Sequence, residues 1–228
     1  MVTRGALFPA RFAIAGFLAQ THQPRELVIV TDTPSQPLID HLDALSDPCI
    51  RLIRAAPAPL GNLRNVAVAA AAGDIVAQWD DDDLYAPDRL AAQLAALKQG
   101  GDAAILLERW TMWWPDRYRL ALSGRRGWEG TLLGWKDQLL LYPDLVRGED
   151  SAMIDAMLAA GTPIGLIDRP DLYCYVVHGG NSWNRQHFKR LFDAASQRFE
   201  FAAYDAALVE RPHFPFDDYA TALDANSR

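Results

Sequence analysis

Four carboxylates stand side by side at Asp80, Asp81, Asp82 and Asp83. At ~4–6 Å each such pair repels by on the order of 1 kcal/mol or more in partly shielded surroundings, and a bound divalent cation reverses that sign. Charge alone leaves two readings open: a metal site, or an acidic loop that complements the start of the helix expected after Pro87. A calcium hand does not fit. With Asp80 at position 1, position 6 is Tyr85 and position 12 is Ala91, where glycine and glutamate are needed. Magnesium or manganese, held by one or two carboxylates together with substrate phosphates, suits the run better. A second chemical feature is the crowd of Trp110, Trp113, Trp114, Trp128 and Trp135 in a segment rich in Arg and Gly, since indoles give flat apolar faces with a polar tip. Cys49 and Cys174 are the only cysteines, so neither a disulfide scaffold nor a zinc ribbon is available.

The elements that must position these groups follow an α/β pattern. Leu27 to Thr31, Ile50 to Ile53, Ile75 to Trp79 and Ala103 to Leu107 are short apolar runs that read as strands. The acidic run directly follows the third, and ligands of open α/β sheets lie beyond the carboxyl ends of strands. Leu63, Val66, Ala67 and Ala70 form a helical stripe, and Leu90, Leu94 and Leu97 form another with Pro87 near its start. Phe12 to Gln20 reads as a first helix. Only Met1-Val2-Thr3 precedes the Arg4-Gly5 turn, so a first parallel strand is nearly absent. Further on, Asp150 to Ala160 is predicted as a helix with Met153, Met157 and Ala160 on one face. Leu172 to Val177 is predicted as a late strand leading to His178, Phe188 to Tyr204 as one amphipathic helix, and the last ~15 residues carry little signal. Strands apolar on both faces and separated by helices predict βαβ units around a mostly parallel sheet.

Composition narrows the classes. The chain has 228 residues, half of them apolar, which is enough for one large core and excludes disorder over its bulk. A net charge of -7, from 22 Lys+Arg against 29 Asp+Glu, argues against a sequence-independent nucleic-acid binder. No apolar stretch reaches the ~20 residues that span a bilayer. No cationic, apolar leader opens the chain, so a cytoplasmic location is expected. P-loop, dinucleotide and serine-hydrolase signatures are absent.

The run Gly73-Asp74-Ile75-Val76-Ala77-Gln78-Trp79-Asp80-Asp81-Asp82-Asp83-Leu84-Tyr85-Ala86-Pro87 resembles a block of family 2 glycosyltransferases with the GT-A fold. Three further stretches resemble that family in the right order. They are Phe17 to His22 with Glu26 to Asp32, then Gly61-Asn62-Leu63-Arg64-Asn65, then Gly148-Glu149-Asp150. His178-Gly179-Gly180-Asn181-Ser182-Trp183 resembles a late segment found in some members. The likeness covers about residues 3 to 190. It departs from the family where the paired acids after the nucleotide-binding strand are reduced to Asp32, where Pro34-Ser35 replaces Gly-Ser, and at the truncated opening strand.

The resemblance implies a GT-A type single-domain sandwich, its donor half at about 1–110, its acceptor half at about 111–190, and a C-terminal helix and tail at 191–228. It implies a metal-dependent inverting transfer of a sugar from a nucleotide-diphosphate donor to an acceptor hydroxyl of a glycan or glycolipid, in surface glycan synthesis. Thr3, Arg4 and Asp32 would line the nucleotide, with Asp32 on the base edge. Asp80 and Asp82 match the family's D-x-D, Asp81 competes for that register, and Mn2+ or Mg2+ would sit on Asp82 with His178 as a further ligand. Arg64 would bond phosphate or hold the acidic loop by a charge-assisted pair. Asp150 resembles the base that takes the acceptor proton, while also suiting a helix N-terminus. Glu149 would support it or contact the acceptor. Trp128 would be an acceptor platform or a core indole. The location expected is cytoplasmic, with peripheral association at the inner face of the membrane allowed. Two other classes compete: a sugar nucleotidyltransferase, for which only Thr3-Arg4-Gly5 stands in for a glycine-rich basic loop, and a non-catalytic glycan- or partner-binding module that has kept the fold.

Overall fold

The computed structural model describes residues 1–226 and shows a mixed α/β domain. Helix α1 (Leu7–Leu18) precedes β1 (Leu27–Thr31), whose five residues are all buried, as an LVIVT run apolar on both faces requires. Helix α2 (Gln36–Leu45) follows. Its first turn holds Pro37, and the Ser35 hydroxyl caps it by accepting from the Leu38 amide. β2 (Ile50–Arg54) pairs with β1 in parallel, from Leu27 opposite Ile50 to Thr31 opposite Arg54. Then come α3 (Leu60–Ala70), β3 (Ile75–Ala77), β4 (Leu84–Tyr85), α4 (Arg89–Gly100) and β5 (Ala104–Leu107). The tryptophan-rich segment forms β6 (Thr111–Trp114), β7 (Arg119–Leu122) and β8 (Trp128–Trp135). α5 (Glu149–Ala159), β9 (Ile164–Ile167), β10 (Tyr173–Val176), α6 (Arg185–Asp193), β11 (Gln197–Glu200), α7 (Ala202–Val209) and α8 (Phe216–Asn226) complete the chain.

The α/β class is as expected, but the pairing is more mixed than a mostly parallel sheet. β5 pairs with β9, and β10 with β6, in parallel, whereas β8 runs antiparallel to both β3 and β5 and β6 runs antiparallel to β7. The reason is the tryptophan-rich segment, which returns as extended hairpin strands instead of passing over the sheet as helices. The opening stub is short but placed. Val2 bridges both Val30 and Asp80 in parallel, and the Thr3 amide donates to the Val30 carbonyl at 3.0 Å. It therefore joins β1 to the acidic segment beyond β3.

Three local expectations are corrected. The third strand ends at Ala77, two residues before Trp79. Phe188 to Tyr204 is not one helix, because β11 interrupts it to pair antiparallel with β7. The last ~15 residues include α8, whose Tyr219 is fully buried against Phe8, Phe12 and Trp113. A boundary at residue 190 falls inside α6, and residues 227–228 of the expected tail lie outside the described residues. Among the described residues no helix is long and apolar enough to cross a membrane.

Candidate functional site

The acidic run sits where the stub, β4 and β10 meet, and its four members have different surroundings. Asp83 is buried. It accepts from the Tyr173 hydroxyl and from the Val176 amide at 2.8 Å, so it ties the loop to β10. Removal from water raises its pKa well above the carboxylate range. Tyr85 closes the loop from below, its hydroxyl donating to the Asp80 carbonyl at 2.8 Å and accepting from the Asp80 amide at 2.6 Å. Beneath lies Arg89, fully buried, with its guanidinium about 5.0 Å from the rings of both Trp79 and Tyr85 and 5.1 Å from Tyr173. It donates to the Gln78 carbonyl and the Gln93 side chain, both at 3.0 Å. A cation is thus fixed behind the carboxylates.

Arg64 in α3 joins the two acidic motifs. Its Nη2 donates to Asp80 at 2.7 Å and its Nε to Glu149 at 2.8 Å. Burial alone would lower its pKa, but Asp80, Tyr142 and Glu149 more than offset that and hold the guanidinium charged. Of the two readings of Arg64, the geometry realises the charge-assisted pair. Gly61, one turn earlier, allows the approach: a Cβ there would meet the Pro143 carbonyl oxygen at 1.9 Å and Glu149 at 3.4 Å. Glu149 is itself buried, which pushes its pKa up against the pull of Arg64.

Asp81 and Asp82 line the cavity together with Asp80 and Asp83. Withdrawal from water and then repulsion from Asp82 push the Asp81 pKa up to about 7, with a Thr3 hydrogen bond opposing the shift. Asp82 Oδ2 lies 3.1 Å from His178 Nε2, and Asn181 donates to it at 3.4 Å. Among the described residues no group of three His, Cys, Asp or Glu side chains forms a ready cage for a metal. Oxygen donors with one imidazole, completed by water and substrate phosphate, fit Mg2+ or Mn2+ and not a structural zinc.

Asp150 lies in the first turn of α5, which starts after Gly148 at φ 73, and its Oδ1 accepts from the Ser151 amide at 2.7 Å. Trp128 corrects the acceptor-platform expectation. It is 4% exposed, stacked on Trp110 at 4.4 Å with the Arg126 guanidinium 4.0 Å from its ring, so no indole face is open to a sugar.

A single cavity of about 600 Å³ connects these groups. Thr3, Arg4, Asp32, Arg64, Asp80, Asp81, Asp82, Trp128, Glu149, Asp150 and His178 all line it. Every residue expected from the sequence is therefore brought to one cleft. Arg126, Glu129, Arg147, Trp183 and His187 line it too and were not anticipated. Trp183 had a signal in its place at the end of the His178 segment. The others lie in loops, at the start of β8 and on α6, without local pattern.

A sequence model described as "Glycosyl transferase family 2" matches residues 10–125, more than half of the 228 residues. The chain belongs to glycosyl transferase family 2. No curated protein matches the sequence. Among solved structures, S. aureus TarS 1-349 is similar with 16% identity and a TM-score of 0.61, over 77% of this chain and 58% of that one. The same protein in complex with UDP-GlcNAc gives 17% identity and a TM-score of 0.62, over 84% of this chain and 62% of that one. The mannosyltransferase PcManGT from Pyrobaculum calidifontis, in complex with GDP-Man and Mn2+, gives 17% and 0.61, over 82% of this chain and 58% of that one. Likeness at these identities establishes a shared GT-A fold. The chain spans about three fifths of the length of these structures. The family 2 match contains Asp32, Arg64 and the acidic run but ends before Trp128, Glu149, Asp150 and His178.

Proposed function

We propose that this family 2 member is a metal-dependent inverting glycosyltransferase that moves a sugar from a nucleotide-diphosphate donor to an acceptor hydroxyl, in the assembly of a surface glycan. One observation carries the reading: the cavity that holds Asp81, Asp82 and His178 also holds Asp150. The donor half, about 1–110, takes the nucleotide between Thr3, Arg4 and Asp32, with Asp32 on the base edge. Asp82 and His178 hold Mn2+ or Mg2+, with Asp80 and Asp81 beside them on the ribose side. Bound there, the cation supplies Lewis-acid neutralisation of the departing diphosphate. Arg64 fixes Asp80 and Glu149 relative to each other, so the donor and acceptor groups are positioned as a unit. Asp150 takes the proton of the attacking hydroxyl on the side opposite the diphosphate.

The neighbours' ligands, UDP-GlcNAc and GDP-Man with Mn2+, define the first donors to try. Incubation of the chain with each donor, with and without Mn2+, tests the reading by release of free nucleoside diphosphate. Metal-dependent release, lost in Asp82→Ala, supports transfer. Consumption of pyrophosphate would instead make it a nucleotidyltransferase, and donor binding with no turnover toward any glycan acceptor would make it a binding module.

A further inference from the structure

Two arginines, Arg147 and Arg126, line the cavity that also holds Asp150. Arg147 immediately precedes Gly148-Glu149-Asp150 and lines the cavity. Among the described residues no carboxylate pairs with it, and its Nη1 donates to the Ser182 carbonyl at 3.0 Å. A guanidinium has five N–H donors in a rigid fork, so most of this fork is open. Its orientation is set by Trp183, over whose ring it lies at 4.5 Å. Arg126, on the same cavity, is oriented in the same way over Trp128, and there Glu129 takes both of its terminal nitrogens, at 3.1 and 3.0 Å. His187 stacks on Trp183 at 4.5 Å, and burial first, then Arg126, Arg190 and Arg147, lowers its pKa. Cations held flat on aromatic rings lose little freedom when they bind a planar or tetrahedral anion.

The geometry points to an acceptor that carries a phosphate group, read by the open fork of Arg147. This rests on the transferase reading, since it takes the Asp150 side of the cavity as the acceptor side. The phosphate can belong to a lipid headgroup or to a phosphorylated glycan, and both present the same chemistry to the fork.

The test is a titration of the full chain with glucose 6-phosphate and with glucose, in Mn2+ alone and in Mn2+ with saturating UDP or GDP to fill the donor half. Glucose 6-phosphate is expected to bind at least about tenfold more tightly than glucose in both conditions, a preference that Arg147→Ala removes and Arg147→Lys partly keeps. Arg126→Ala is expected to reduce it less. Arg147 is exposed, so these variants keep the fold. Equal binding of the two sugars overturns the proposal. So does an Arg147→Ala variant that loses nucleotide affinity by the same factor, which would assign the fork to the donor diphosphate. Failure of UDP and GDP to bind with Mn2+ sinks the transferase reading separately, while the sugar phosphate comparison still decides the anion. Phosphatidylcholine vesicles with and without phosphatidic acid give the source. Tighter Arg147-dependent binding to the acidic vesicles than to glucose 6-phosphate indicates a headgroup, and no preference between the vesicles indicates a phosphorylated glycan.

Discussion

On the floor of the cavity, Asp80 and Asp83 have oxygens taken up by Arg64, Tyr173 and Val176, each within a buried or half-buried contact. Across the cleft, Asp150 accepts from the Ser151 amide, its own neighbour, and the arginines beside it lean on indole rings. One side is fixed by hydrogen-bonded charge, the other by backbone geometry and stacking. The difference fits two tasks. A diphosphate and its cation need carboxylates held in place before they arrive, because reorganising charge inside a low-dielectric cleft is costly. A base that must accept a proton keeps a lone pair free by having few partners.

The largest expected effect breaks the acceptor side alone. Asp150→Asn removes the proposed base and is expected to slow transfer by about 10²–10⁴-fold. Donor affinity with Mn2+, measured by calorimetry, should stay unchanged. A parallel loss of donor affinity would show that Asp150 belongs to the floor and that the two sides are not separate.

Arg64 is the link between them, and Arg64→Ala leaves Asp80 and Glu149 without their cation. Removing one partner of a buried pair costs about 3–5 kcal/mol, which a urea melt would read. Adding Glu149→Gln should recover part of that loss, because it removes one of the two stranded charges. No recovery would mean that Arg64 acts through packing on Tyr142, where its guanidinium lies 5.8 Å from the ring. A smaller change confined to the floor is Tyr173→Phe. It leaves Asp83 with the Val176 amide alone and is expected to cost about 1–3 kcal/mol of stability, together with weaker Mn2+-dependent nucleotide binding. An unaltered Mn2+ dependence would uncouple Asp83 from the placement of Asp82.

The same contrast explains what the sequence made legible. Leu27–Thr31 and Ala104–Leu107 are buried on every residue, so a continuous apolar run identifies them locally. The acidic run and Gly148-Glu149-Asp150 are contiguous motifs and could be placed by resemblance. Four adjacent aspartates, however, look equivalent as letters. Only the approach of Tyr173 and His178, some 90 positions away, separates an Asp83 held by a tyrosine hydroxyl from an Asp82 beside an imidazole. Trp128 was open between platform and core for the same reason, since Trp110 and Arg126 decide it by stacking. The C-terminal elements were misread because their partners are distant. Gln197–Glu200 is a strand because β7 offers an edge, and Tyr219 is buried because α1 and Trp113 receive it. Tertiary context overrode a helical pattern in the first case and a weak one in the second.

The smallest effect sharpens the role of backbone geometry on the acceptor side. Gly148 stands at φ 73, the left-handed region, and α5 with Asp150 starts immediately after it. A Cβ at Gly148 would meet nothing within 4 Å, whereas one at Gly61 would strike the Pro143 carbonyl oxygen at 1.9 Å. Gly148→Ala therefore carries a conformational cost alone, about 1 kcal/mol, while Gly61→Ala must also move backbone and costs more. If the turn sets where Asp150 points, Gly148→Ala should lower the transfer rate by more than its modest loss of stability accounts for, with KM for the donor unchanged. A variant that loses about 1 kcal/mol in a melt yet transfers at the full rate would show that α5 is positioned by Arg64 and Glu149 instead. The acceptor side would then depend on the charged floor after all.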